Sequence, residues 1–161
     1  MNTLILMWNP DFSSYTLDQF REELDNFENE YFNWSVWDYK NSHDGDKFFL
    51  VRVGNHGNRG VVMSGIFDSD PWEGEDWSGK GRQVFYQDMR PEVMIDSEKC
   101  PILTQEEMMK AIPDFDWTGG HSGRVLSEEQ AQKLDELWNS FIAEHKDIFD
   151  GNDAISVYNQ D

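Results

Sequence analysis

Apolar and polar positions along this chain fall into two periods. Phe48 to Val53 and Val61 to Phe67 are near-continuous runs of β-branched, aromatic and other apolar residues, the pattern of strands covered on both faces. Gly54 to Gly60 between them is rich in Gly and Asn, so the pair predicts a β-hairpin with a long loop. Gly65 inside the second run predicts a bulge or a close approach to the backbone. Leu4 to Trp8, ended by Asn9-Pro10, predicts a buried first strand, and Tyr31 to Tyr39 an extended segment with rings on both sides. Gln83 to Met89 predicts a further strand, interrupted at Pro91, which suits an edge or a bulge, and resumed over Val93 to Ile95.

Helical spacing takes over elsewhere. Thr16-Leu17-Asp18-Gln19 is a capping box, followed by the apolar stripe Phe20, Leu24, Phe27. Glu22, Glu23, Asp25, Glu28 and Glu30 read as its solvated face. Thr104-Gln105-Glu106-Glu107 is a second capping box, opening a short helix to about Ala111 that Pro113 stops. Ser127-Glu128-Glu129-Gln130 is a third and opens the longest helix, whose stripe Leu134, Leu137, Trp138, Phe141 and Ile142 makes Trp138 a core residue. After Phe149 the tail adds a short strand at most. The order lacks βαβ alternation. It predicts an α+β fold: a mixed or mainly antiparallel sheet curled into an open barrel with flanking helices. The 161 residues, without linker or repeat, read as one domain over 1–161.

Charge and composition narrow the chemistry. The net charge of −19 argues against non-specific duplex binding, which needs Lys and Arg to neutralise phosphates. The single cysteine, Cys100, excludes an intrachain disulfide and offers no zinc cluster; before Pro101 it reads as an inert thiol. A start without a basic n-region, and no apolar run of the roughly 20 residues that span a bilayer, predict a cytoplasmic protein without membrane contact. Seven Trp and eleven Phe either fill the core or wall a pocket for a flat ligand. Trp72 and Trp77, in an acidic Gly-rich loop, either tuck back onto the sheet or form part of a binding surface.

Catalytic patterns are sparse. There is no Walker loop, no GxGxxG after a strand and no HExxH. The four His lack metal spacing, and Asp68, Asp70, Glu73, Glu75 and Asp76 fail the EF-hand pattern. Ser122, His121 and Asp116 could be combined into a triad, but no nucleophile elbow surrounds the serine. No catalytic residue, metal or cofactor is expected. The aromatics beside small polar residues, Trp8-Asn9-Pro10, Trp34-Ser35, Ser64-Gly65 and Trp117 with Ser122-Gly123, suit the grip on an unpaired nucleobase: rings stack, and Asn, Ser and backbone groups read the edge.

In these residues the chain resembles the EVE-like branch of the PUA superfamily. The resemblance is carried by Trp8-Asn9-Pro10, Trp34-Ser35, Gly45 to Leu50 with Arg52 and Gly54, Gly60 to Gly65, Asp70-Pro71-Trp72 with Trp77, and Trp117 with Ser122-Gly123 before the closing helix. It covers roughly residues 4 to 142 and implies a PUA-like open barrel with a pocket on one side. Related domains in bacterial restriction systems flip modified cytosine into an aromatic cage, and the related YTH domains read methylated adenine in RNA. By position the resemblance sets Trp34, Ser35, Asn9, Ser64 and Trp117 around the pocket, with Arg52 and Ser122 as further ligand-binding candidates. Lys40, Lys47, Arg52, Arg59, Lys80, Arg82, Arg90 and Arg124 are the cations near that face. The resulting expectation is a non-catalytic reader of a modified base in DNA, RNA or a nucleotide, working with a nuclease or another protein partner. The alternative is an acidic interaction module, or nucleic-acid mimic, for a basic partner. A small-molecule enzyme is the third reading and has no motif behind it.

Overall fold

The computed structural model describes residues 1–29, 32–76 and 79–159, so Glu30, Tyr31 and Trp77 lie outside the described residues. Their strands are β1 (Thr3–Trp8), β2 (Phe32–Ser35), β3 (Lys47–Arg52), β4 (Gly60–Phe67), β5 (Trp72–Gly74), β6 (Val84–Ile95), β7 (Leu103–Thr104), β8 (Arg124–Val125) and β9 (Ala154–Ser156). The helices are α1 (Leu17–Asp25), α2 (Gln105–Ala111) and α3 (Glu128–Glu144). The strands join in one curled sheet ordered β2-β6-β4-β3-β1-β8, with β5 and β9 on β6 and β7 on β4. Only β1 and β3 run parallel among the described pairs; the others are antiparallel. This is the α+β open, curled barrel with flanking helices that the pattern predicts.

The hairpin of β3 and β4 lies at the centre of the sheet and is buried along most of its length. Alternation along β1 and β3 divides the apolar side chains between two cores. Ile5, Phe49 and Val51 face Leu134, Trp138 and Phe141 of α3 and Met108 of α2. Leu4, Leu6, Phe48 and Leu50 face Phe20 and Leu24 of α1. Two of the three expected capping boxes form in full: the Thr16 and Ser127 hydroxyls accept from the backbone N–H of Gln19 and Gln130, and those Gln side chains accept in return. At Thr104 only half of the box forms: its hydroxyl accepts from the Glu107 N–H, without the reciprocal bond to the Glu107 carboxylate.

Strand β6 does not break at Pro91. Ser64 pairs with Val93 and Gly65 with Pro91, so Glu92 is the extra residue of a bulge. The missing proline N–H therefore falls where the ladder is already disrupted. Gly65 faces it because the Arg90 carbonyl and the Phe48 ring fill the space a side chain would need. This bend lets β6 serve two neighbourhoods: Val84 to Met89 lies beside β2 and β5, and Met89 to Ile95 beside β4 and β9.

Candidate functional site

A cleft of about 550 Å³ opens where β2, the start of β6, the 13–15 segment and the loop before β8 converge. Trp34, Ser35, Tyr15, Tyr86, Arg82 and Ser122 line it, joined by Glu23 and Asp76. Asn9 shapes the approach from β1: its carbonyl accepts from the N–H of Phe12 and Ser13, and its side chain from that of Asp11. That turn brings Tyr15 back under Trp8, whose indole Nε1 donates to the Tyr15 carbonyl at 2.8 Å. The Tyr15 ring then meets Trp34 edge-on, centroids 5.6 Å apart, and its hydroxyl bonds with Glu23. Glu23 thus turns inward from a helix face that reads as wholly solvated.

Ser122 ties the other wall together. Its hydroxyl oxygen accepts from Trp34 Nε1 at 3.1 Å and from the Met7 backbone N–H at 2.9 Å. Its carbonyl accepts from Trp37 N–H, and the Gly123 carbonyl from Asp38 N–H. Gly123, at φ +87°, lets the loop press against the backbone of Val36. The Arg124 guanidinium closes the loop from below by donating to the carbonyls of Asp116, Gly119 and His121. Thr118 donates twice to the Asp116 carboxylate and, with Arg124 nearby, holds that carboxyl below its usual range.

Trp34, Ser35 and Ser122 therefore come together. The other four positions do not join them. Trp117 is 1% exposed in the α3-side core, with its Nε1 donating to the Ile112 carbonyl, whereas Trp34 packs against the opposite core. The cage of two indoles does not form, because the curled sheet separates them. Ser64 is buried opposite Phe49 and Val93, on that same α3-side face. Arg52 is buried against Ser97 and Glu98, tying the β3–β4 loop to residues 97–98. Asn9 builds the turn without lining the cleft. Of the cations near the expected face, Arg82 alone lines the cleft among the described residues; Lys47 pairs with Asp135, and Arg124 serves its own loop.

Sequence reading names Arg82 only as one of eight cations near the expected face, and it misses Tyr15, Tyr86, Glu23 and Asp76 as cleft residues. The signal for Tyr15 is its place just before the capping box, where a ring is carried by a fixed turn. Glu23 and Asp76 read as solvated acids, and their turn toward Tyr15 and Arg82 is set by the fold.

The triad combination is not assembled: the Ser122 hydroxyl bonds with Trp34 and Met7, the His121 ring lies on Trp37, and the Asp116 carboxylate is engaged by Thr118. No group of three or more His, Cys, Asp or Glu among the described residues is placed to hold a metal ion. No helix among them is long and apolar enough to cross a membrane. Partial burial pushes the Cys100 thiol up, and the Asp153 and Asp96 carboxylates add to the shift. Alkylation by iodoacetamide at pH 7.5 is therefore expected to be slower than that of free cysteine, accelerating only as pH rises toward the elevated value. A rate equal to that of free cysteine would contradict the burial.

No family model matches the chain, and no curated protein matches it. Among solved structures, the crystal structure of protein PSPTO5229 from Pseudomonas syringae is similar, with a TM-score of 0.51 and 11% identity over 84% of this chain and 98% of that one. The NMR structure of Rpa0253 from Rhodopseudomonas palustris gives a TM-score of 0.49 and 13% identity over 90% and 98%. At its level of identity the Pseudomonas likeness speaks to fold alone: the curled mixed sheet with flanking helices is shared with a protein from that bacterium.

Proposed function

We propose that this chain is a non-catalytic cytoplasmic binding module that holds a modified nucleobase, carried by single-stranded nucleic acid or by a nucleotide, in the Trp34 cleft. The carrying observation is the half-buried Trp34 indole, its edge pinned by Ser122 and its flank fixed by Tyr15, in a cleft of about 550 Å³ that Tyr86 also lines. That volume falls within the roughly 300–1,000 Å³ of small-ligand sites. Ser13, Ser14, Asn33 and Ser35 supply polar groups that can read the edge of a stacked ring. The resemblance to the EVE-like branch of the PUA superfamily supports the same reading, and the lone Cys100 fits a reducing compartment. Two carboxylates, Glu23 and Asp76, stand against one guanidinium, Arg82, so the cleft lacks the run of cations that non-specific duplex binding needs. The base must arrive already unpaired, and chemistry on the bound strand falls to a protein partner such as a nuclease.

Titration with 5-methyl-2′-deoxycytidine, N6-methyladenosine and their unmodified parents, followed by Trp fluorescence and calorimetry, tests this. At least one modified nucleoside is expected to quench and to bind more tightly than its parent. Trp34→Ala should weaken that binding at least about tenfold through the lost stack. Ser122→Ala should weaken it less, by freeing the indole edge. No binding by any of the four, or wild-type affinity in Trp34→Ala, ends the proposal. The second reading, an acidic module for a basic protein, rests on the exposed Asp18, Glu22 and Asp25 along α1 and Glu28 just beyond its end. It predicts a salt-sensitive complex indifferent to Trp34→Ala.

A further inference from the structure

Beside the cleft lies a second hollow of about 380 Å³, lined by Trp37, Tyr39, Phe85 and His121 among others. The two hollows share Ser35, Arg82, Val84 and Ser122, so they are adjoining compartments of one surface. Trp37 is 57% exposed, an unusual position for an indole. It is nevertheless held in place. Its ring lies flat on His121, centroids 3.5 Å apart and planes within 4°, and its backbone N–H donates to the Ser122 carbonyl. Tyr39 lies on Phe85 in the same hollow, at 3.7 Å and 12°. An exposed ring fixed in orientation loses little conformational freedom when another ring stacks on it.

Arg82 stands where the compartments meet. Its side chain is 60% exposed, and its Nε lies 3.5 Å from the Asp76 carboxylate, itself 6% exposed. It is the one Lys or Arg lining either hollow among the described residues. We propose that the site takes two consecutive nucleotides of a single strand: one base in the Trp34 cleft, its neighbour stacked on Trp37, and the linking phosphodiester beside Arg82. This rests on the base-reading function proposed above. Stacking on Trp37 tolerates any base, because every base has a π-face, so the second compartment supplies affinity and the first supplies identity. One phosphate contact in a single strand gives a shallow salt dependence, a log–log slope of about −0.7.

The probes are 5-methyl-2′-deoxycytidine and N6-methyladenosine, and the single-stranded trinucleotides that flank each with thymidine or uridine. At least one trinucleotide is expected to bind about tenfold more tightly than its own nucleoside, the size of one base-on-ring stack. The arm that shows the gain separates DNA from RNA. Trp37→Ala should erase the gain while leaving nucleoside affinity within about twofold, and His121→Ala, which removes the ring beneath Trp37, should lose part of it. Arg82→Gln should flatten the salt dependence. A trinucleotide no tighter than its nucleoside overturns the two-nucleotide site and leaves the base reading intact. So does a gain untouched in both ring variants. Absence of binding by all four probes removes both proposals together.

Discussion

Trp117→Ala is expected to destabilise the protein by about 3–5 kcal/mol in urea unfolding, the range for deleting a large buried ring. Trp117 is 1% exposed, packs in the core with α3 and donates from Nε1 to the Ile112 carbonyl at 2.9 Å. Its own carbonyl accepts from the buried Gln105 side chain. Alanine therefore opens a cavity and strands an acceptor at the end of α2. Against a typical domain stability of about 5–15 kcal/mol, this is a large share. Trp117→Phe should recover much of the volume and not the hydrogen bond, losing roughly 1–2 kcal/mol. A loss below about 1 kcal/mol for Trp117→Ala, with ligand binding abolished, would put this indole back in a binding site and contradict its place in the core.

Gly123→Ala is expected to lose about 2–4 kcal/mol, combining left-handed strain with a backbone collision. The added Cβ would sit 2.5 Å from Val36 Cα and 2.8 Å from Trp37 N. Those are main-chain atoms, so relief requires the loop to back away from residues 36 and 37. Ser122 goes with it, and the bond to Trp34 Nε1 opens. Gly45 supplies the control: at φ +91° it has nothing within 4 Å of its would-be Cβ, so Gly45→Ala carries the strain alone, about 1 kcal/mol. Thermal unfolding of both variants reads the difference. Equal losses would mean that the close approach at Gly123 is relieved without cost. The same displacement should also change Trp34 emission, because its edge would then meet water.

Much of the fold is legible in the sequence because its elements are regular. Alternating and continuous apolar runs mark β1, β3 and β4, and two reciprocal caps mark the starts of α1 and α3. Pro91 is half legible: it suits a bulge, and the register shifts at Glu92, yet the strand runs through where an interruption is expected, because the bulge removes the need for the proline N–H. The site is less legible. Trp117 sits among Asp, Thr, Gly and Ser, so it looks like a loop aromatic, although its side chain is buried in the core. Arg52 has the mirror problem: a cation in a strand suggests a ligand contact, while its partners at 97 and 98 are invisible to local pattern. Ser122 and Trp34 are legible as residue types that suit a pocket, yet the bond between them is a property of the closed sheet.

The parallel pairing of β1 sets an order of events during synthesis. Thr3 aligns with Lys47 and Leu4 with Val125, so β1 is translated before both of its partners and has neither close behind it. On the ribosome its apolar edge waits unpaired until the β3–β4 hairpin emerges, and its far side until the Ser122-Gly123 loop follows. Such non-local closure slows folding, and a nascent-chain holdase that shields Leu4 to Trp8 should raise the yield of native protein.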